Sequence, residues 1–216
     1  LWEDHVTWTR LAVISLVAVC GAILAMASAL AAAAPPPQSA STGSNAALVR
    51  ITIPGQDTVS LGELTWPTST AADVQSFQYP ADGSIVSLGR SRAVVSAQPG
   101  EAAASQSFAE ANVLSLFGGD VTAGQVTASV TAGASVRSAG FDVSASAVRG
   151  LRVLEQDVGA SSGSTASVAD WGTISVLSQD TGSRRETPGA QALVDELRLR
   201  LTLEHAGLLA GTEIAV

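Results

Sequence analysis

Apolar and polar positions alternate with a period of two over much of the chain beyond residue 48. The sharpest case is ELRLRLTLEHA, where Leu197, Leu199, Leu201 and Leu203 share one parity while Glu196, Arg198, Arg200, Thr202 and Glu204 share the other. A helix would scatter those leucines around its circumference. The period therefore predicts a strand with leucines in the core and a solvated charged face, against the helix propensity of Leu, Glu and Arg. The following AGLLAGTEIAV is expected to turn between Gly207 and Gly211 and return as a last strand, TEIAV. Shorter β-type runs stand between turn signals: LVRITI before Pro54-Gly55, SIVSLG after Asp82-Gly83, RAVVSA before Pro99-Gly100, then ANVLSLFGG. In GGDVTAGQVTASVTAGASV, Gly118-Gly119 and Ala123-Gly124 read as turns of a hairpin. Val126 to Ala132 reads as a half-buried strand with Val and Ala inward, ended by Gly133.

These elements define an all-β class: a β-sandwich-like domain of short antiparallel strands over residues 48–216, with a β-solenoid as the alternative. A faint internal echo links Phe108, Val113 and Leu116 with Phe141, Val148 and Leu151, each set closing on Asp-Val. Unequal spacing makes it a sign of two similar strand pairs more than of a regular repeat.

Ahead of the domain, residues 11–34 are free of charge and Pro35 to Pro37 close the run. At about 1.5 Å per residue a helix of this length reaches about 36 Å, enough for a hydrocarbon core of about 30 Å. One N-terminal hydrophobic helix is thus expected, either a signal peptide with small-residue cleavage sites at Ala25, Ala27, Ala29 and Ala31 or a retained transmembrane anchor. Glu3 and Asp4 in the leader, residues 1–10, weigh against a signal peptide. Arg10 at the membrane edge, with Trp2 and Trp8 beside it, places the leader in the cytoplasm and everything after Pro35 outside. Residues 35–47, PPPQSASTGSNAA, read as a flexible spacer; Ser39, Ser41, Thr42 and Ser44 are its candidate O-glycosylation positions. The start on Leu instead of Met is expected to reflect an incomplete gene product.

Composition narrows the function classes. Hydrophobic residues make up 46% of the 216 but aromatic ones only 4%, so the core must be built largely from small side chains that each gain little on burial. The net charge is −8 and none of the 11 basic residues is lysine, which leaves no electrostatic footprint for nucleic acid. The Ser and Thr parity of residues 121–131 leaves an uncharged hydroxyl face, suited to solvent, to sugar polymers or to neighbouring chains.

Two resemblances follow. The first sixteen residues, LWEDHVTWTRLAVISL, resemble the start of a family of small bacterial proteins of unsettled function, from which nothing carries over. ASQSFAEANVLSLFGGDVTAGQVTASVTA, SAVRGLRVL and LRLRLTLEHAGLLAGTEIAV resemble successive blocks of the choice-of-anchor P proteins, exported proteins found mainly in actinobacteria. The likeness spans roughly residues 94–216 and is most specific in GGDVTAGQVTA and HAGLLAGTEIAV. It implies export and a surface or extracellular location, with no activity or catalytic residue to transfer. It also sets the expectation of a further small-residue segment after AGTEI, and so of a truncated C-terminus.

Chemistry is sparse. His5 and His205 fall on opposite sides of the expected membrane helix, and Cys20, alone and within that helix, forms neither an internal disulfide nor a zinc set. His205 reads as a turn residue, with no G-x-S-x-G elbow to serve. Asp157, Asp170, Glu196 and Glu204 are the carboxylates from which an acid/base pair would be drawn, yet none sits in such a motif. Asp120 in GGDVTAG reads as a turn residue before a calcium ligand. Trp66 and Trp171 read first as core, with sugar stacking as the alternative. No catalytic, cofactor-binding or metal-binding residue is assigned and no cofactor is expected. The expected function is a non-enzymatic structural or adhesive role at the cell surface or in secretion. A carbohydrate-binding module is the alternative, and a hydrolase ranks last. Expected partners are the membrane, through an uncleaved 11–34, and a cell-wall glycan or another surface protein.

Overall fold

In the computed structural model, residues 42–135, 138–184 and 189–216 are described. The leader, the 11–34 helix with Cys20, His5 and most of the spacer lie outside them. Among the described residues no helix is long and apolar enough to cross a membrane.

Short strands come first: β1 (Asn45–Ala46), β2 (Val49–Thr52), β3 (Val59–Leu61), β4 (Leu64–Thr65), β5 (Ala71–Val74), β6 (Phe77–Tyr79), β7 (Val86–Leu88) and β8 (Ser91–Gln98). A long hairpin follows, β9 (Ala102–Leu116) and β10 (Val121–Ser135). After it come β11 (Ala139–Asp142), β12 (Ala147–Arg149), β13 (Arg152–Val153), β14 (Gln156–Asp157) and β15 (Ser164–Val168). A second long pair, β16 (Gly172–Arg184) and β17 (Gly189–Leu201), precedes the last strand, β18 (Glu213–Ala215).

All pairings within named strands are antiparallel. They build two main sheets, which is the sandwich architecture and not the stacked coils of a solenoid. In the larger sheet β9 and β10 lie at the centre. The outer edge of β9 is lined by β8 and then β7, and that of β10 by β11, β12 and β13 in succession. The smaller sheet runs β15-β16-β17-β18-β2-β3, with β10 and β17 meeting across the interlayer. β1 pairs with β4 in a separate ribbon.

Each long pair contains one step at which the inward-facing parity changes. In β9–β10, Ala123 faces Leu114 and Gln125 faces Asn112, so Gly124 lies opposite Val113. On the turn side, Leu114, Leu116, Val121 and Ala123 are buried; beyond the step the buried positions are Ala103, Ala111 and Val126, of the other parity. Val113 has φ +53° and is 69% exposed. The flanking strands break at the same level: β7 ends and β8 begins around Gly89, and β12 ends and β13 begins around Gly150. A side chain at Gly89 would bring its Cβ to 3.0 Å from the Asn112 carbonyl oxygen, the group that accepts the Gly89 amide, a tight approach that favours glycine at the crease. In β16–β17, Val176 faces Leu197 and Ser178 faces Asp195, leaving Leu177 (φ +49°) opposite Glu196. Both of these are buried beside Ile174, Val176, Leu197, Leu199 and Leu201.

The main core fills the space between the sheets mainly on the side of these steps nearer the β9–β10 turn. It contains Ile51, Leu114, Leu116, Val121, Ile174, Leu197, Leu199, Leu201 and Ile214 among others. Leu and Ile supply about 1.5–3 kcal/mol each when fully buried, so they carry the stability that a composition rich in Ala lacks. A second cluster of Leu48, Leu64, Ala93 and Val95 packs under a partly buried Trp66.

Several expectations are corrected. The Gly118-Gly119 turn is real, with φ +65° and +112°, but Ala123-Gly124 lies inside β10, which runs past Gly133 to Ser135. Leu203 is 52% exposed, because β17 stops at Leu201, where Gly211 N–H already takes the Leu201 carbonyl. Residues 42–47 belong to the domain and not to the spacer. Ser44 is buried, its hydroxyl donating to the Gln106 carbonyl at 2.6 Å, which removes it as an accessible glycosylation position. The Phe108 and Phe141 echo has no structural counterpart, since Val113 is exposed and Val148 buried; the likeness lies between β9–β10 and β16–β17.

Leu199→Ala is expected to cost about 2–5 kcal/mol in denaturant melts, whereas Leu203→Ala, on the same parity, should change stability by about half a kcal/mol at most. Equal effects would reject the strand end at Leu201. A left-handed backbone costs an L-residue about 1–2 kcal/mol, and Asn tolerates it best after Gly. Val113→Asn should therefore raise stability by about 0.5–1 kcal/mol, and a fall would show that Val113 is not strained.

Candidate functional site

Tight turns gather at one end of the sandwich and draw together three residues that the sequence singles out. The turn after β9 places Phe117 and Asp120. Leu154 and Glu155, at φ +50° and +65°, close the β13–β14 turn, and Leu154 N–H donates to the Asp120 carbonyl at 2.7 Å. Ala169 (φ +49°) leads into Trp171, whose carbonyl accepts the Thr202 amide at 2.8 Å. Ala206 and Gly207, at φ +49° and +80°, form a two-residue turn closed by mutual backbone hydrogen bonds between His205 and Leu208. Five non-glycine residues with positive φ thus fall at this end, a concentration of backbone strain of the kind found at binding surfaces.

Inside these turns the His205 ring stacks on Trp171 with centroids 3.9 Å apart and planes 1° from parallel. Phe117 meets both rings edge-on, at 5.0 Å and 5.2 Å. His205 Nε2 is 3.9 Å from Asp120 Oδ2, an ion-pair distance for a protonated ring but too long for a hydrogen bond. Trp171 is 7% exposed, which agrees with the core reading of that residue. The imidazole meets two rings and one carboxylate, an arrangement that locks the turns together. Acyl transfer would need a nucleophile at the same ring, and none of the hydrogen bonds found among the described residues supplies one. Leu154, Leu203 and Leu209 stand exposed on the surrounding turns.

The remaining sequence candidates do not join this group. Asp157 pairs with Arg152 at 3.4 Å on the surface. Asp170 and Glu204 are exposed, and Trp66 belongs to the second cluster. Among the described residues no group of three metal-ligating side chains forms.

The residue that sequence reasoning placed wrongly is Glu196. Expected on a solvated face, it is 1% exposed, because the parity step opposite Leu177 turns it inward. It lines a cavity of about 150 Å³ between the sheets, beyond the main core, together with Arg50, Glu63, Phe108, Val130 and Asp195. Its Oε1 has no hydrogen-bond partner. Burial pushes the Glu196 carboxyl up to about 8; the Ser146 hydroxyl opposes this shift and the neighbouring Asp195 charge adds to it. Asp195 itself is held by Arg198. The carboxyl is thus largely neutral at pH 7.

No protein-family model matches the chain, and neither does any curated protein or solved structure.

Between about pH 4.5 and about 8 the folded protein retains a proton on Glu196 that the unfolded chain has released. Stability must therefore fall as pH rises through this window and level off above it, by an amount on the order of several kcal/mol. Glu196→Gln should abolish that part of the fall in denaturant melts from pH 5 to pH 9. An unchanged slope in the variant would assign it to another group.

Proposed function

We propose that the chain is an exported β-sandwich domain of the choice-of-anchor type, held at the cell surface or released from it, with a non-enzymatic structural or adhesive role. The carrying observation is the turn-bearing end, where strained turns pinned by Phe117, Trp171 and His205 hold Leu154, Leu203 and Leu209 out to solvent. Apolar side chains fixed on rigid turns lose little conformational entropy when a partner covers them, which favours binding over catalysis. The apolar 11–34 segment and the Arg10 edge support export, and the 35–41 spacer would hold this end away from the membrane. Sugar stacking has less support: it needs a ring face open to solvent, and Trp171 is covered by His205.

Replacing Leu154, Leu203 and Leu209 together by Asp should lower the retention of displayed protein on cell walls or neighbouring cells at least tenfold. The thermal midpoint should hardly move, since all three are exposed. Undiminished retention would reject this surface. A specific hit on a glycan array would favour the carbohydrate-binding reading, and turnover of ester, peptide or glycoside substrates that is lost with His205→Ala would overturn the non-enzymatic one.

A further inference from the structure

The cavity beside Glu196 is independent of the turn-bearing end, and its chemistry points to a ligand. A carboxyl 1% exposed, with one oxygen unpartnered, is a costly arrangement unless something satisfies it. Arg50 lines the same cavity but makes no ion pair with Glu196. The charged side chains around the space are Glu63, Asp195 and Glu196 against Arg50. Of the elements packed nearby, β10 contributes only uncharged residues to the lining, Asp142 on β11 and Arg149 on β12 are exposed, and Glu213 on β18 is held to Arg200 at 3.7 Å. With Glu196 protonated, Asp195 held by Arg198 and Glu63 offset by Arg50, the cavity turns negative only when Glu196 releases its proton. Its walls are apolar, supplied by Phe108, Ala128, Val130 and Val194.

We propose that this cavity binds a primary ammonium group carried on a short alkyl stem, with the Glu196 carboxylate as its counter-ion and the Phe, Val and Ala walls around the stem. Two features select this chemistry. The compact ammonium needs only one carboxylate oxygen, whereas a guanidinium fork needs two side by side. A hard divalent cation needs several oxygen ligands, and the described carboxylates form no such group. These 216 residues contain no lysine; the ammonium is that of a small free amine or of a lysine side chain presented by a second protein.

The cation binds the carboxylate form, so affinity must track deprotonation of Glu196, rising about tenfold per pH unit below about 8 and flattening above it. Each bound ammonium displaces one proton into solution. Titration calorimetry of the full chain with n-butylammonium and with N-acetyl-lysine methylamide, at pH 6, 7 and 8 in buffers of different ionisation enthalpy, reads both effects. The expected result is binding that strengthens about tenfold from pH 6 to 7, continues to rise toward pH 8, releases up to one proton and is lost in Glu196→Gln. Glu196→Gln keeps the shape of the neutral carboxyl and should fold, which its denaturant melt checks. Binding of n-butylammonium alone would assign the site to small amines, and binding of both probes would assign it to lysine side chains as well. No binding of either probe at millimolar concentration, binding independent of pH, or binding retained in Glu196→Gln would overturn the proposal.

Discussion

The pleat of a β-strand allows only two faces, and both long hairpins of this protein exchange them once along their length. That exchange, at Val113 opposite Gly124 and at Leu177 opposite Glu196, is the constraint on which the rest depends. On one side of it the two sheets enclose Leu, Ile and Val in a dense core. On the other side the same strands turn different residues inward, mostly small ones, and the interlayer holds a cavity instead of a core. A left-handed residue in the middle of a strand is the local cost, and the breaks between β7 and β8 and between β12 and β13 show the neighbouring strands adapting to it.

The chain spends its few large side chains accordingly. With 4% aromatic residues, Phe117 and Trp171 go to the end where the turns meet, together with the imidazole of His205. Trp66 covers the small cluster near the entry of the chain. The long outer reach of β9–β10 is left mostly to Ala, Ser and Thr, whose backbone pairing, more than side-chain burial, holds the two strands together.

Much of this was legible in the sequence. The alternation of Leu197, Leu199 and Leu201 identifies β17, and the glycines of HAGLLAGTEIAV identify the turn and the return of β18, because period and turn chemistry are local properties. Asp120, Trp171 and His205 were each recognisable as singular residues, but their meeting depends on contacts between segments far apart in the chain. What misled was the assumption that a strand keeps one face inward from end to end. It placed Leu203 inside, past the point where the strand stops, and Glu196 outside. No local pattern marks a parity step when the residue bearing it is an ordinary Leu or Val, and the signal for Glu196 lies across the sheet in Leu177.

The run of β2 has a mechanical consequence. It leads from the cavity, where Arg50 sits, toward the turn-bearing end, where Pro54 lies against Gly211, and it is hydrogen-bonded to β3 on one side and β18 on the other. A tether at the residue-42 side and a load at the far turns would pull along the axis of this strand. Its hydrogen bonds would then be stressed together, in shear, and not opened one after another as in peeling. Under such a load both ladders would have to break together, and resistance would follow the unfolding rate more than the equilibrium stability.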